Sequence, residues 1–348
     1  TAMHGVGTET LRSVFHAAGF AEPILVSVQS DPDPDFPTTP FPNPEEPGAI
    51  DLALETARSF NADIVIANDP DADRCAVAIN DGQWRMLRGD EVGAILGEYI
   101  ARKNAQGVFA NSIVSSSLLS KIAHRYGLKF AETLTGFKYL SKIPNLTFGY
   151  EEALGYCVDS QSVNDKDGIS AGLKIVEIAA ELKSHGSSLS EFLSEIWANY
   201  GYHFTSQISL RTSNPPEMTK VMTALRSAMP NEIAGFKVSR FADLAEPTDG
   251  LPPTDGIRFW LGDAIRIIIR PSGWSCARRS LPSNSSPSSS SQSAVYYVPY
   301  SLHSSFSELQ QFVGFIRPRT LLPLLKSSAA EFVRYFGHLA LPGPALPP

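Results

Sequence analysis

The sequence predicts an α/β protein: two α/β domains with mixed sheets, then a truncated α+β domain and a disordered tail. Three observations carry this. Over residues 1–200, short β-branched runs alternate with amphipathic helical stretches, the pattern of sheets covered by helices. Residues 201–273 instead read as strand, helix, strand and hairpin. From residue 274 the composition breaks: Glu308 and Glu331 are the only acidic residues, against 36 in the chain, and residues 283–293 are serine-rich. The expected boundaries are 1–80, 81–200, 201–273 and 274–348.

Composition narrows the class. The chain has 348 residues, 43% hydrophobic and 19% charged, which is ordinary for a globular protein of several domains. A net charge of −7 argues against non-specific nucleic-acid binding. No apolar run reaches membrane-spanning length and no signal peptide opens the chain, so no membrane partner is expected. Cys75, Cys157 and Cys276 are widely spaced and odd in number, which points to a reducing, cytoplasmic setting without disulfides or a zinc site. Cys75 reads as a small buried residue opening a strand. The chain starts at Thr1 in what looks like mid-element, so a fragment, or a gene lacking its front, is expected.

The elements follow in order. Thr1 to Gly7 reads as a strand end entering a glycine turn. Leu11, Val14, Phe15 and Ala18 share one face of a helix over 8–18, stopped by Gly19. Residues 24–28 read as a strand. The Pro- and Asp-dense stretch 31–47 is neither helix nor central strand, and a helix covers 49–60. Strands follow at 63–67 and 75–79, and this alternation implies a largely parallel sheet. The second unit opens with a strand at 84–87 and a helix to residue 102 capped by Asp90. Strands at 108–110 and 129–131 flank a helix at 118–126, and 147–150 leads to Glu151 and Glu152. Asp167-Gly168 precedes a helix to residue 182 bearing Leu173, Val176 and Ala180. Ser188 and Glu191 form a capping box for a helix whose core stripe is Leu193, Ile196, Trp197 and Tyr200. The third unit has strands at 206–210 and 236–239, a helix at 216–228, and a hairpin of 257–260 with 265–269.

Two loops carry chemistry. Asn68-Asp69-Pro70-Asp71-Ala72-Asp73-Arg74 sets three carboxylates on alternate residues at a strand's C-terminal end, where open α/β sheets bind ligands. Carboxylates so close repel one another, and a hard divalent cation relieves the repulsion; Mg²⁺ takes such oxygen ligands. A plain polar turn has the same composition. An EF-hand does not fit, since Arg74 stands where its glycine belongs and Asn80 where its final glutamate belongs. The second loop, Arg270-Pro271-Ser272-Gly273, reads as a turn whose guanidinium, hydroxyl and backbone N–H groups suit a phosphate.

With six further segments these loops form an ordered set. They are Thr1-Ala2-Met3-His4-Gly5-Val6-Gly7, Phe41-Pro42-Asn43-Pro44-Glu45-Glu46-Pro47-Gly48, Gly89-Asp90-Glu91-Val92-Gly93, Thr135-Gly136-Phe137-Lys138, Gly149-Tyr150-Glu151-Glu152-Ala153-Leu154-Gly155-Tyr156 and Lys166-Asp167-Gly168. In order and content, over residues 1–273, they resemble the α-D-phosphohexomutase superfamily of phosphoglucomutases and phosphomannomutases, in its phosphoglucomutase/phosphopentomutase-like branch. The resemblance implies a four-domain isomerase of carbohydrate metabolism. Such an enzyme moves a phosphoryl group between sugar positions through a bisphosphate intermediate and a phosphoserine. It further implies that Asp69, Asp71 and Asp73 hold Mg²⁺ and that Arg74 lies near the transferring phosphoryl group. Glu151 would bind sugar hydroxyls, with Thr135, Gly136 and Lys166 lining the same surface, and Arg270, Ser272 and Gly273 would grip the other phosphate. The implied partner is a phosphosugar, and the implied activator of the intact enzyme is of the glucose 1,6-bisphosphate type.

The departures shape the expectation. The family's Thr-Ala-Ser-His-Asn-Pro nucleophile loop does not occur, and the first domain is expected to be missing. The phosphate loop, which continues Gly-Thr-Glu-Pro-Lys in the family, here runs Gly273-Trp274-Ser275-Cys276, as an out-of-frame continuation would. A catalytically inactive Mg²⁺- and sugar-phosphate-binding fragment is therefore the alternative to a mutase. A phosphatase of the haloacid dehalogenase type also uses an Asp-x-Asp loop, but the other loops speak against it.

Overall fold

The computed structural model describes residues 1–103, 106–211, 215–272 and 293–297. The chain divides into two compact units, Thr1–His203 and Phe204–Pro348.

The first unit holds two sheets and most of the helices. Helix α1 (Thr8–Ala17) buries Phe15 and ends at Gly19, whose φ of +81° is the left-handed stop expected of it. Helix α2 (Asp51–Phe60) buries Ala53, Leu54 and Ala57, one face at helical spacing, and ends at left-handed Asn61. Strands β1 (Ile64–Ala67), β2 (Ala76–Asn80) and β3 (Trp84–Met86) form a three-stranded sheet in that order. Both pairings are antiparallel, which corrects the expected parallel arrangement. The reason is the connection: a loop of eight residues joins β1 to β2, too short for a parallel crossover. Pairing of β3 with β2 also carries this sheet past residue 80. No strand forms at 24–28. Ile24 and Val28 are 51% and 60% exposed, and residues 27–29 make a turn of 3₁₀ helix instead. Thr1 does run beside β1, donating to Ile66 O at 2.9 Å and accepting from Asn68 N at 2.9 Å.

The second sheet has the order β5-β4-β6-β7, with β4 (Val108–Ser112), β5 (Lys129–Thr133), β6 (Leu146–Glu151) and β7 (Gly155–Cys157). β4 pairs parallel with β5 and β6, and β7 closes the edge antiparallel to β6. Helices α3 (Gly89–Arg102), α4 (Leu118–Arg125), α5 (Phe137–Leu140), α6 (Gly168–Ser184) and α7 (Leu189–Tyr200) complete the unit. The expected cap Ser188 accepts from Glu191 N, and Asp167 also caps α6, accepting from Ile169 N and Ser170 N. Asp90 is not a cap. Arg88 precedes α3, with its N–H on Glu91 Oε2 at 2.8 Å, while Asp90 accepts from Ser116 N and Tyr150 Oη. The buried face of α6 is Ala171, Gly172, Ile175 and Ile178, and Ala180 is exposed; the expected stripe was rotated because small residues let this helix approach closely.

Among the described residues, the second unit has helix α8 (Pro215–Ser227) and six strands: β8 (Gln207–Arg211), β9 (Glu232–Ile233), β10 (Phe236–Asp243), β11 (Ile257–Leu261), β12 (Ile265–Ser272) and β13 (Ser293–Tyr297). Their order is β8-β13-β12-β11-β10-β9, and the 257–269 hairpin is as expected. Met218, Met222 and Leu225 of α8 pack with Ile257, Phe259, Ile267 and Ile269. Of the expected disordered tail at 274–348, all but β13 lies outside the described residues, as do Gly273 and Cys276.

Candidate functional site

The acidic loop follows β1 and is closed on itself. Asn68, buried, donates from Nδ2 to Arg74 O at 2.7 Å. Ala72 N donates to Asp69 O and Arg74 N to Asp69 Oδ1, both at 2.9 Å. To make these bonds Ala72 takes a φ of +58°, a left-handed conformation that costs an alanine roughly 1–2 kcal/mol. One carboxylate oxygen from each of Asp69, Asp71 and Asp73 lies within 4.8 Å of the others. Arg74 Nε stands 3.5 Å from Asp69 and 4.0 Å from Asp73.

These residues fit a hard cation. Asp73 Oδ1 is buried without a hydrogen-bond partner, since Arg74 Nε at 4.0 Å is too far to donate one, and a metal ion among the carboxylates would meet it. Loss of hydration raises the Asp69 carboxyl from 3.8 to about 6; the Arg74 N–H opposes this, and Asp73 and Asp71 add to it. Raised above its ordinary value, Asp69 favours folding below pH 3.8, and that contribution is lost as pH rises through about 6. A bound divalent cation offsets the loss. Mg²⁺ should therefore raise Tm more at about pH 7.5 than at about pH 5. Thermal scans with and without Mg²⁺ at the two pH values check this, and equal shifts would contradict it.

Three close approaches fix the loop. Val6 N donates to Pro70 O at 2.9 Å, and a Cβ at Gly5 would overlap the Pro70 backbone. Gly168 N donates to Ala72 O at 3.0 Å, and a Cβ there would overlap the Arg74 carbonyl. Cys75 N donates to Leu154 O at 3.0 Å, and Arg74 forms an antiparallel bridge with Gly155. The acidic loop is thereby stitched to the segment that follows Glu151.

Glu151 ends β6 and is buried; it accepts from Gly136 N, so the two expected sugar-binding segments do meet. Gly136 holds a φ of +117°, open to glycine alone among common residues. The Thr135 hydroxyl is buried without a hydrogen-bond partner. Glu152 is otherwise employed, accepting from Ser112 Oγ at 3.0 Å and Ser115 Oγ at 2.9 Å. The Lys166 stem lies against Gly155 of the Glu151 segment, while its ammonium donates to Asp73 Oδ2.

Sequence reasoning missed Glu45. It is exposed and lies within electrostatic reach of Arg74 and Glu152. It sits in a quoted segment, Phe41 to Gly48, whose Pro-Asn-Pro spacing gave no sign of which side chain turns toward the acidic loop.

In the second unit the expected phosphate turn is a strand. Arg270, Pro271 and Ser272 belong to β12 and pair with Val295, Ala294 and Ser293 of β13. The small residues suggested a turn, but the β-branched run before them continues its pairing through Ser272. Gly273 lies outside the described residues.

Comparison with known proteins bears on all of this. The family model for phosphoglucomutase/phosphomannomutase alpha/beta/alpha domain II matches residues 1–82, and that for domain III matches 88–200; together they take more than half the chain. A third model, DNA repair metallo-beta-lactamase, matches residues 264–328, beginning one residue before β12. A Haemophilus influenzae protein named "Probable phosphomannomutase" is 48% identical over 277 residues, covering 78% of this chain and 56% of that protein. The human protein named "Phosphopentomutase" is 37% identical over 279 residues, covering 73% of this chain and 45% of that protein. The chain thus spans about half the length of the curated relatives it matches. Among solved structures, a Burkholderia thailandensis phosphoglucomutase/phosphomannomutase family protein superposes with a TM-score of 0.64 at 17% identity, over 92% of this chain and 61% of that one. The Paramecium phosphoglucomutase parafusin, in its open form, gives 0.63 at 21% identity, over 97% and 57%. At these identities the two structures establish likeness of fold.

Proposed function

Since the chain belongs to the phosphoglucomutase/phosphomannomutase family, we propose that it carries the metal-binding and sugar-binding half of a phosphosugar mutase. The reaction of the family-length protein would be intramolecular phosphoryl transfer between two positions of a hexose or pentose phosphate. One observation supports this most: the acidic loop and the Glu151 segment are joined by the Cys75–Leu154 hydrogen bond and the Arg74–Gly155 bridge. Metal ligands and a hydroxyl-reading carboxylate are thus held by one backbone ladder.

Asp69, Asp71 and Asp73 would hold Mg²⁺, which supplies positive charge for phosphoryl oxygens. Phosphoryl transfer depends mostly on positioning and electrostatic stabilisation, so fixed charges count for much. Arg74, bridged to Gly155 by its backbone, keeps one cation beside the acidic loop. Glu151, oriented by Gly136 N–H, would read sugar hydroxyls, and the Thr135 hydroxyl would serve a further one. Arg270, Ser272 and Gly273 remain the proposed grip on the second phosphate, and the proposed end of the mutase-like sequence stays at residue 273. A glucose 1,6-bisphosphate-type activator belongs to the same reading.

A second reading is favoured for these residues by themselves. No Thr-Ala-Ser-His-Asn-Pro run occurs in the 348 residues. We infer binding of Mg²⁺ and sugar phosphate without turnover. Incubation with glucose 1-phosphate, glucose 1,6-bisphosphate and Mg²⁺ tests this. No glucose 6-phosphate above the enzyme-free rate is expected; robust conversion would overturn the non-catalytic reading. Cys75 and Cys157 are both free and buried, which supports a reducing, cytoplasmic setting. Among the described residues, no helix is long and apolar enough to cross a membrane.

A further inference from the structure

Lys166 occupies a position that the sugar-binding role does not explain. It comes from the turn between β7 and α6, 93 residues from Asp73, and its ammonium is on Asp73 Oδ2. The backbone around it is pinned: Asp167 N donates to Tyr156 O at 2.9 Å and Gly168 N to Ala72 O at 3.0 Å. Its aliphatic stem lies over Gly155, where a Cβ would come 3.0 Å from Lys166 Cδ. The anchor is therefore fixed, while the flexible end of the side chain can move. The same carboxylate has its other oxygen, Oδ1, buried and unpartnered by any hydrogen bond. Lysine thus neutralises one oxygen of a carboxylate whose other oxygen, buried without a hydrogen bond, stands 4.0 Å from Arg74 Nε.

We propose that Lys166 is an exchangeable counter-ion of the metal site: it holds Asp73 while the site is metal-free, and a divalent cation at the three carboxylates releases its ammonium toward the phosphosugar. Two cations cannot share Asp73 without repulsion, because the ammonium and a divalent ion would stand on two oxygens of one carboxylate. The released ammonium needs an anion, and a sugar phosphate bound beside Gly155 and Glu151 supplies one. Mg²⁺ and phosphosugar therefore bind with positive coupling that runs through Lys166, and the coupling is reciprocal. The inference rests on the proposed function, since it takes a phosphosugar as the second ligand.

The test is calorimetric titration of Mg²⁺ and of glucose 1-phosphate, each alone and in the presence of the other. It is run on the 348-residue chain and on Lys166→Met and Lys166→Arg. In the unmodified chain each ligand should tighten the other by about tenfold. In Lys166→Met the coupling should fall towards none, while Mg²⁺ alone binds several-fold tighter because its competitor is gone. Lys166→Arg should retain part of the coupling. A lysine that merely braced the loop would, once lost, weaken Mg²⁺ binding. Weaker or unchanged Mg²⁺ binding in Lys166→Met, or coupling that persists there, would overturn the exchange and leave the proposed function standing. Failure of the unmodified chain to bind either ligand would overturn both.

Discussion

Asp71→Asn should weaken Mg²⁺ binding to the chain about 100-fold, or ~2.7 kcal/mol, while leaving its fold unchanged. Asp71 is the informative ligand because it is exposed. Its carboxylate makes no hydrogen bond or ion pair among the described residues. Asp69 is different, since its Oδ1 also accepts the Arg74 N–H at 2.9 Å and its loss would loosen the loop. Asp73 is tied to Lys166. A neutral amide at position 71 removes one anionic oxygen from the cluster, and affinity for a hard cation follows the count of charged oxygen ligands. Stability without metal should stay within about 0.5 kcal/mol, as for other exposed substitutions. Calorimetry gives the affinity and urea denaturation the stability. An unchanged Mg²⁺ affinity would remove Asp71 from the ligand set.

Gly89→Ala should be strongly destabilising, costing about 3 kcal/mol. A Cβ there would overlap the Glu152 carbonyl oxygen and lie 2.6 Å from its carbonyl carbon. Backbone stands on both sides, so no rotamer change relieves the clash. Gly89 opens α3, whose buried Asp90 accepts from Tyr150 Oη at 2.7 Å, and Tyr156 Oη donates to Gly89 O at 3.2 Å. Moving α3 away would pull at both tyrosines. It would also shift Glu152 from Ser112 and Ser115, and with it the adjacent Glu151. The urea midpoint should fall with an unchanged slope. A loss below about 0.5 kcal/mol would mean that α3 and the Glu152 loop do not approach as closely as described.

What the sequence disclosed depended on how local the determinant was. Helices α1, α2 and α7 were legible because a helix writes its buried face and its caps within a dozen residues: Phe15 and Gly19, Leu54 and Ala57, Ser188 and Glu191. The acidic loop was legible because Asp69, Asp71 and Asp73 are neighbours in sequence as well as in space. Strand direction was not. Alternating β and α signals suggested a parallel sheet, whereas β1, β2 and β3 run antiparallel, and only the shortness of the β1–β2 loop could have warned of it. Residues 24–28 misled because an apolar run predicts a strand only if a partner lies beside it. Arg270 and Ser272 misled in the opposite sense, since a partner strand drew turn-forming residues into a ladder. Lys166 and Asp73 meet across 93 residues, and no local pattern encodes such a meeting. The ordered set of loops located the site, but the pairings within it came from the fold.

The central claim is that one cation site, built by Asp69, Asp71 and Asp73, lies beside a sugar-binding surface marked by Glu151. Crystals of the chain soaked with Mn²⁺ and glucose 1-phosphate, measured at the manganese absorption edge, test it most directly. The account predicts an anomalous peak among the three aspartates, with Asp73 released by Lys166 and sugar density against Glu151. Manganese bound elsewhere, or an acidic loop that stays metal-free at millimolar Mn²⁺, would contradict it.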